Sequence, residues 1–434
     1  MGRFAVFAAL LLCNTLPAYG AGPTKWIESW GTALPLLSPP LPPADASPPP
    51  APSNSQANGT PAARPPNPRR ARPQSFQDNT IRMIVRTGAG GPEFRIEFAN
   101  VQGGEPIRFA AIHAALAGPA GSIIPSTDRT VTFGGRESLT LFPGSRAVSD
   151  PVPLAAPPLT EVAVSVYLPD EVQANTVDEI GLMPTYIAAG NQTSAESLDE
   201  AAVAGSYFWL RGLSVPTPDV DSGTIVAFGD SITEGYATTF GAHMSWPELL
   251  AVRLQKDPEL SNWSVVNAGI SGNRVLRTGA GESALARFTD DVLGRPGVKW
   301  VIVLESINDI NFSIMPGFPR DQAATADELI AGLDQLITRA HLHGIKIAGG
   351  TVMATKGLPF YSQEGEAMRQ AVNDWIRTSG RFDAVIDFDA ATRDPADPLR
   401  IRPDLDPGDH VHPNDDGNRI MADTIDLDIF RTTK

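Results

Sequence analysis

The spacing of apolar residues changes its period once along the chain. Between residues 80 and 215 the period is two: "TIRMIVRT" aligns Ile81, Met83 and Val85, "EFRIEFAN" aligns Phe94, Ile96 and Phe98, and "EVAVSVYL" aligns Val162, Val164, Val166 and Leu168. Alternation of this kind marks strands with one face on a core, and glycine- and proline-rich turns separate the runs. The expectation is an all-β sandwich or jelly roll. His113 is the only histidine there and reads as structural. After Asp221 the runs become continuously apolar, as in "TIVAF", "SVVNAGI", "KWVIVLESI", "KIAGGTVMA" and "AVIDF". Segments of helical period such as "DELIAGLDQLITRAH" and "EAMRQAVNDWIRT" lie between them. Strands covered on both faces read this way, so the second half predicts an α/β fold with a doubly wound parallel sheet of five strands.

The amino-terminal stretch changes the picture of where the protein works. Arg3, an apolar run from Phe4 to Leu12 and an Ala-Tyr-Gly triplet ending at Gly20 predict a cleavable export signal over residues 1–21. That run is too short to anchor the chain in a bilayer. Cys13 is the single cysteine, lies inside the signal and follows a leucine where a lipoprotein signal carries a small residue. The mature chain then has no thiol for disulfides or metal ligation, which suits an exported bacterial protein. "WIESWGTALPLL" predicts a first strand, after which residues 35–73 are crowded with proline, alanine and serine and cannot bury enough surface to fold. The organisation expected is a signal (1–21), a sandwich domain (24–215) carrying this Pro-rich insertion, and an α/β domain (222–434). A net charge of −15 argues against nucleic acid or anionic lipid as partners. No later apolar run is long enough for stable membrane insertion.

In a doubly wound sheet, ligands sit outside the carboxyl ends of the strands. Ser231 follows the first apolar run there, Ser271 to Asn273 the second, Asn308 the third, and "DHVHPNDDG" (Asp409 to Gly417) the fifth. Taken alone, Ser231 with Glu234 three residues on reads as a capping box that starts a helix. The other segments supply what a nucleophile needs. Asp409 and His412 are spaced so that the carboxylate can take the Nδ1 proton while Nε2 faces Ser231. The backbone N–H groups of Ser231 and Gly272 and the side-chain amide of Asn308 are the candidate oxyanion donors, glycine allowing close approach. Asp230 and Asn273 read as structural supports of the rim.

These blocks, "FGDSITEG", "NAGISGNR", "ESINDI" and "DHVHPND" in that order, resemble the SGNH hydrolases, also called the GDSL esterase family. The resemblance covers the half from about Thr224 onward, and it implies a flavodoxin-like sheet, a nucleophile at Ser231, oxyanion donors at Gly272 and Asn308, and a base and orienter at His412 and Asp409. The preceding sandwich is similar to the amino-terminal half of certain secreted members. Two positions depart from the family pattern. Ser306 stands where glycine is usual, narrowing the acyl site or adding a hydrogen bond, and His410 stands where it crowds the rim or competes for Asp409.

Other chemistries lack their motifs: there is no G-x-S-x-G elbow, no H-E-x-x-H and no phosphate-binding glycine loop. The pair His341 and His343 sits at a helix end, and no metal or cofactor is expected. The expectation is a secreted serine esterase acting through an acyl-enzyme on short-acyl esters, with a small-molecule or polysaccharide alcohol. The alternatives are a lysophospholipase or lipase-type acylhydrolase, and a glycan-binding module with a vestigial site. One apolar patch reaches the rim, Phe312, Ile314, Met315 and Phe318, suited either to a short acyl or aryl group or to packing on a neighbouring helix.

Overall fold

The computed structural model describes residues 25–35, 73–217, 221–315 and 317–431. The expected export signal and nearly all of the Pro-rich insertion lie outside these residues. The main strands of the first half are β1 (Lys25–Gly31), β2 (Asn79–Arg86), β3 (Arg95–Ala99), β4 (Ala111–Leu116), β5 (Arg129–Thr130), β6 (Arg146–Val148), β7 (Glu161–Leu168), β8 (Thr185–Ala189), β9 (Ala202–Ala204) and β10 (Leu210–Thr217). They form a four-stranded sheet in the order β1-β10-β3-β6 and a six-stranded sheet in the order β9-β8-β2-β7-β4-β5. The central register places Ile81 opposite Val166, Met83 opposite Val164 and Val85 opposite Val162, so the period-two residues meet on one face of the six-stranded sheet. That face is the core, with all six side chains fully buried.

The opposite face of β2 is not solvated, although alternation led us to expect it. Arg82 is buried there because residues 192–196 cross over it. Its guanidinium donates to the carbonyls of Gly121 (2.9 Å) and Ala195 (2.6 Å), and its Nε to Ser165 Oγ (2.9 Å). A buried guanidinium is tolerable only when its donors are taken up in this way.

The second half contains β11 (Thr224–Gly229), β12 (Ser264–Gly269), β13 (Val298–Leu304), β14 (Lys346–Gly350) and β15 (Ala384–Ile386). Their order is β12-β11-β13-β14-β15 and every pairing is parallel. The connecting helices include α1 (Ser231–Glu234), α2 (Trp246–Lys256), α3 (Ala284–Phe288), α4 (Ile307–Ile314), α5 (Ala326–Leu342), α6 (Gln363–Thr378), α7 (Phe388–Thr392) and α8 (Asp415–Thr424). This is the doubly wound fold, with the order of strands, not their direction, reversing between β11 and β13. A crevice opens where neighbouring connections leave on opposite faces, and that point is the ligand site of such sheets.

Strand β1 belongs to both halves. One edge pairs antiparallel with β10 of the sandwich. On the other side Glu28 N donates to Thr224 Oγ1 (2.9 Å) and Pro296 O (3.1 Å), while Glu28 O accepts from Ser264 Oγ. The Glu28 carboxylate meets Arg295 Nη1 at 3.0 Å, and Arg295 Nη2 donates to Thr32 O at 2.7 Å. Burial pushes the Glu28 carboxyl above its usual range against the pull of Arg295, so this pair fixes register at the seam more than it adds stability.

Removing the cation alone would leave a buried charge unbalanced. Arg295→Met is expected to lower unfolding free energy by about 3–5 kcal/mol in urea titration, with Glu28→Gln in the same chain restoring part of the loss. A loss below about 1 kcal/mol for the single variant would contradict this account of the seam.

Candidate active site

Strand β11 runs into Gly229, where a Cβ would lie 2.5 Å from Leu304 O and 2.2 Å from Thr233 Oγ1, so glycine is what lets the chain turn sharply into α1. Asp230 caps that helix by accepting from Ile232 N at 2.9 Å. Ser231 is therefore the first helical residue and not the cap, and the capping box suggested by Glu234 is replaced by a hydrogen bond from the Ser271 hydroxyl to the Glu234 carboxylate. Freed of a capping role, Ser231 Oγ lies 2.7 Å from His412 Nε2.

His412 Nδ1 lies 2.8 Å from Asp409 Oδ2, and Asp409 Oδ1 accepts from the backbone N–H groups of Val411 (3.1 Å) and His412 (3.0 Å). Partial burial would raise the Asp409 carboxyl, but the hydrogen bond and charge of His412 and the two N–H donors hold it down at about 2. It is thus an anion at neutral pH, placed to fix the imidazole tautomer with Nε2 toward the serine. The ring of Tyr236 covers the imidazole, centroids 4.5 Å apart.

The second strand end brings up Gly272, with φ +80°, a conformation that favours glycine. Among the described residues the N–H groups of Ser231 and Gly272 have no backbone acceptor. Asn308 Nδ2 donates to Asn273 O at 2.9 Å, which leaves the second amide hydrogen of Asn308 for a ligand. All five residues singled out by sequence are brought to one rim, at the point where the strand order reverses.

Of the groups that hold that rim, Asp230 and Asn273 were marked by sequence and Arg287 was not. Arg287 on α3 is buried and donates to Gly229 O at the end of β11 (2.9 Å), Ala268 O in β12 (2.8 Å) and Asn273 Oδ1 (2.9 Å). It also meets Glu305 Oε1 after β13 (3.3 Å) and lies 4.0 Å from the centre of the Phe228 ring. Asn273 in turn donates to the carbonyls of Ala280 and Glu282. Asp309 accepts from Val275 N (2.7 Å), and burial lifts its carboxyl to about 6. Asp230 and Glu305 are buried side by side with one oxygen each unpartnered among the described residues, and desolvation raises both carboxyls.

The two departures do something other than expected. Ser306 has φ +99°, is fully buried, and its hydroxyl finds no partner among the described residues. It adds no hydrogen bond; it strains the backbone at a position suited to glycine. His410 does not compete for Asp409, because its Nδ1 lies 2.6 Å from Asp406 Oδ2. The Phe312 and Phe318 rings stack 6.3 Å apart with the Arg274 guanidinium 5.7 and 5.9 Å from their centres, while Ile314 packs on α6 at Gly365. Two cavities, of about 60 and 420 Å³, lie along the seam between the halves and neither is lined by Ser231, Asn308 or His412. His113 and His341 pair with Asp128 and Asp383.

A serine, an imidazole and a carboxylate thus lie in line at the switch point, with the Ser231 and Gly272 N–H groups and the Asn308 amide on the same rim. Residues 227–420 match the model of the GDSL-like lipase/acylhydrolase family, and this half of the chain is a carboxylic ester hydrolase domain of that type. No curated protein matches the chain. Similar solved structures include an acetylxylan esterase from Geobacillus stearothermophilus (23% identity over 49% of this chain and 95% of that one, TM-score 0.38). Others are an α/β hydrolase enzyme from the metagenome of Lake Arreo, Spain (23%, 48% and 94%, TM-score 0.38) and the acetyl xylan esterase AlAXEase (22%, 46% and 96%, TM-score 0.36).

Ser306→Gly is expected to raise unfolding free energy by about 1 kcal/mol, since relief of positive-φ strain outweighs the extra freedom of glycine when unfolded. Equilibrium denaturation reads this directly, and a destabilised variant would show that the serine is not strained. Asp230 and Glu305 have raised carboxyls, so between the usual carboxylate range and their folded values the native state binds more protons than the unfolded one. Stability from this source is present at low pH and lost as pH rises. The melting temperature should fall from about pH 5 to about pH 8, and Asp230→Asn, which keeps a capping side chain, should flatten that fall; an equal slope in both proteins would refute the assignment.

Proposed function

We propose that the protein is a secreted serine esterase that cleaves short-acyl esters of hydrophilic alcohols. In this reading Ser231 Oγ gives its proton to His412 Nε2 and attacks the acyl carbon, and Asp409 stabilises the imidazolium so formed. The developing oxyanion is met by the N–H groups of Ser231 and Gly272 and the free amide hydrogen of Asn308. His412 then returns the proton to the departing alcohol oxygen, leaving the acyl group on Ser231. Water, deprotonated by the same imidazole, releases the acid and restores the serine. The observation that carries the reading is the continuous line Asp409 to His412 to Ser231, at 2.8 and 2.7 Å.

Short acyl groups are favoured because the surface beside the oxyanion donors is largely committed elsewhere. The aromatic pair Phe312 and Phe318 is engaged by Arg274, and Ile314 by α6. A long acyl chain needs a continuous open apolar surface. The segment over residues 1–21 supports export, and the polar, acidic rim supports a hydroxyl-rich alcohol.

Ser231→Ala should abolish turnover while folding normally, and a phosphonate ester should label Ser231 alone. Asn308→Ala should lower kcat by about 10²–10³ with KM little changed. Along a p-nitrophenyl series from acetyl to palmitoyl, kcat/KM should be highest at acetyl or butyryl. Labelling at another serine, or a maximum at palmitoyl, would overturn the mechanism or the acyl preference respectively.

A further inference from the structure

The alcohol leaves on the histidine side, because its oxygen must receive the proton held at His412 Nε2. Whatever covers His412 away from Asn308 and Gly272 is therefore the wall the alcohol meets. That cover is the loop joining α1 to α2, which begins with Tyr236, its ring tilted over the imidazole. The loop is fixed at both ends and in the middle. Tyr236 N donates to Ser231 O, and Thr239 gives both its N–H (2.8 Å) and its hydroxyl (2.6 Å) to Asp415 at the start of α8. Gly241 N donates to Leu182 O of the sandwich (2.8 Å). His243 lies between Glu161 of the sandwich (2.9 Å) and Glu248 of α2 (2.5 Å).

Between these clamps stands Phe240, 44% exposed. A single exposed phenylalanine usually needs no explanation. Here the two neighbours are bonded to different parts of the protein, so the exposed ring is carried on a fixed backbone four residues on from the ring that covers the base. We propose that Phe240 is a specificity-determining residue that stacks on the pyranose ring of a sugar alcohol. On this view the sandwich holds the wall in place through Leu182 and Glu161. A flat apolar ring next to Asp415 and the Thr239 hydroxyl matches a pyranose, which offers C–H bonds on its face and hydroxyls at its edge. The inference rests on the Ser231 mechanism above, and the experiment separates the two.

The test compares kcat/KM for an acetylated methyl glucoside with that for ethyl acetate. In Phe240→Ala the ratio should fall about tenfold, carried by KM for the glucoside, and Phe240→Trp should restore it. Phe142→Ala, which truncates a phenylalanine 61% exposed on the sandwich, should leave the ratio unchanged. Glu161→Gln should lower the ratio in the same direction as Phe240→Ala, because it loosens the clamp without touching the ring. An unchanged ratio in Phe240→Ala, with Ser231→Ala inactive, would overturn this inference and leave the mechanism standing. A loss seen with phenyl acetate but not with the glucoside would overturn the sugar assignment. Activity in Ser231→Ala would remove the mechanism on which both depend.

Discussion

The guanidinium of Arg287 closes the active end of the parallel sheet. It binds the end of β11, β12, the Asn273 side chain and Glu305 at once. These segments are far apart in sequence and carry, within four residues, Ser231, Gly272 and Asn308. In the proposed mechanism the oxyanion donors must agree in position to a fraction of an ångström with an atom not yet charged. A planar cation with five donors is well suited to that task, because each bond constrains direction as well as distance. The carbonyls it holds lie near the ends of neighbouring parallel strands, and Gly229 O takes this bond in addition to one from Ile270 N.

The same end of the sheet gathers carboxyls. Asp230, Glu305 and Asp309 are buried within reach of Arg287 and Arg274, and desolvation raises all three. Asp409 is the exception: two backbone donors and His412 keep it ionised. Carboxyls in one neighbourhood are thereby shifted in opposite directions, three up and Asp409 down. Ser306 adds backbone strain beside them, in keeping with the tendency of such strain to collect at sites where geometry is over-determined.

The sandwich enters this arrangement from outside. β1 is hydrogen-bonded to β10 on one side and to Thr224, Ser264 and Pro296 on the other, with Glu28 and Arg295 locking the seam. A second attachment runs from Leu182 and Glu161 to the loop beside His412. Two contacts on different parts of the sandwich restrain the halves against both sliding and hinging.

The sequence by itself determined the two textures and singled out residues that meet at the candidate site. Period-two alternation in "EVAVSVYL" and unbroken apolar runs such as "TIVAF" and "WVIVL" follow from whether one or both strand faces are covered, a local property that survives in the pattern. Ser231, Gly272, Asn308, Asp409 and His412 were legible because strand ends in this topology share one edge. Only the tertiary structure decided which of Asp230 and Ser231 caps α1, since both can, and the choice depends on His412 arriving from 181 residues away. It alone placed Arg287, whose partners are mostly backbone carbonyls that no sequence motif marks. It alone buried Arg82 under a crossing loop and gave Ser306 its positive φ, because burial and strain are imposed by what the rest of the chain brings into contact and not by the residue itself.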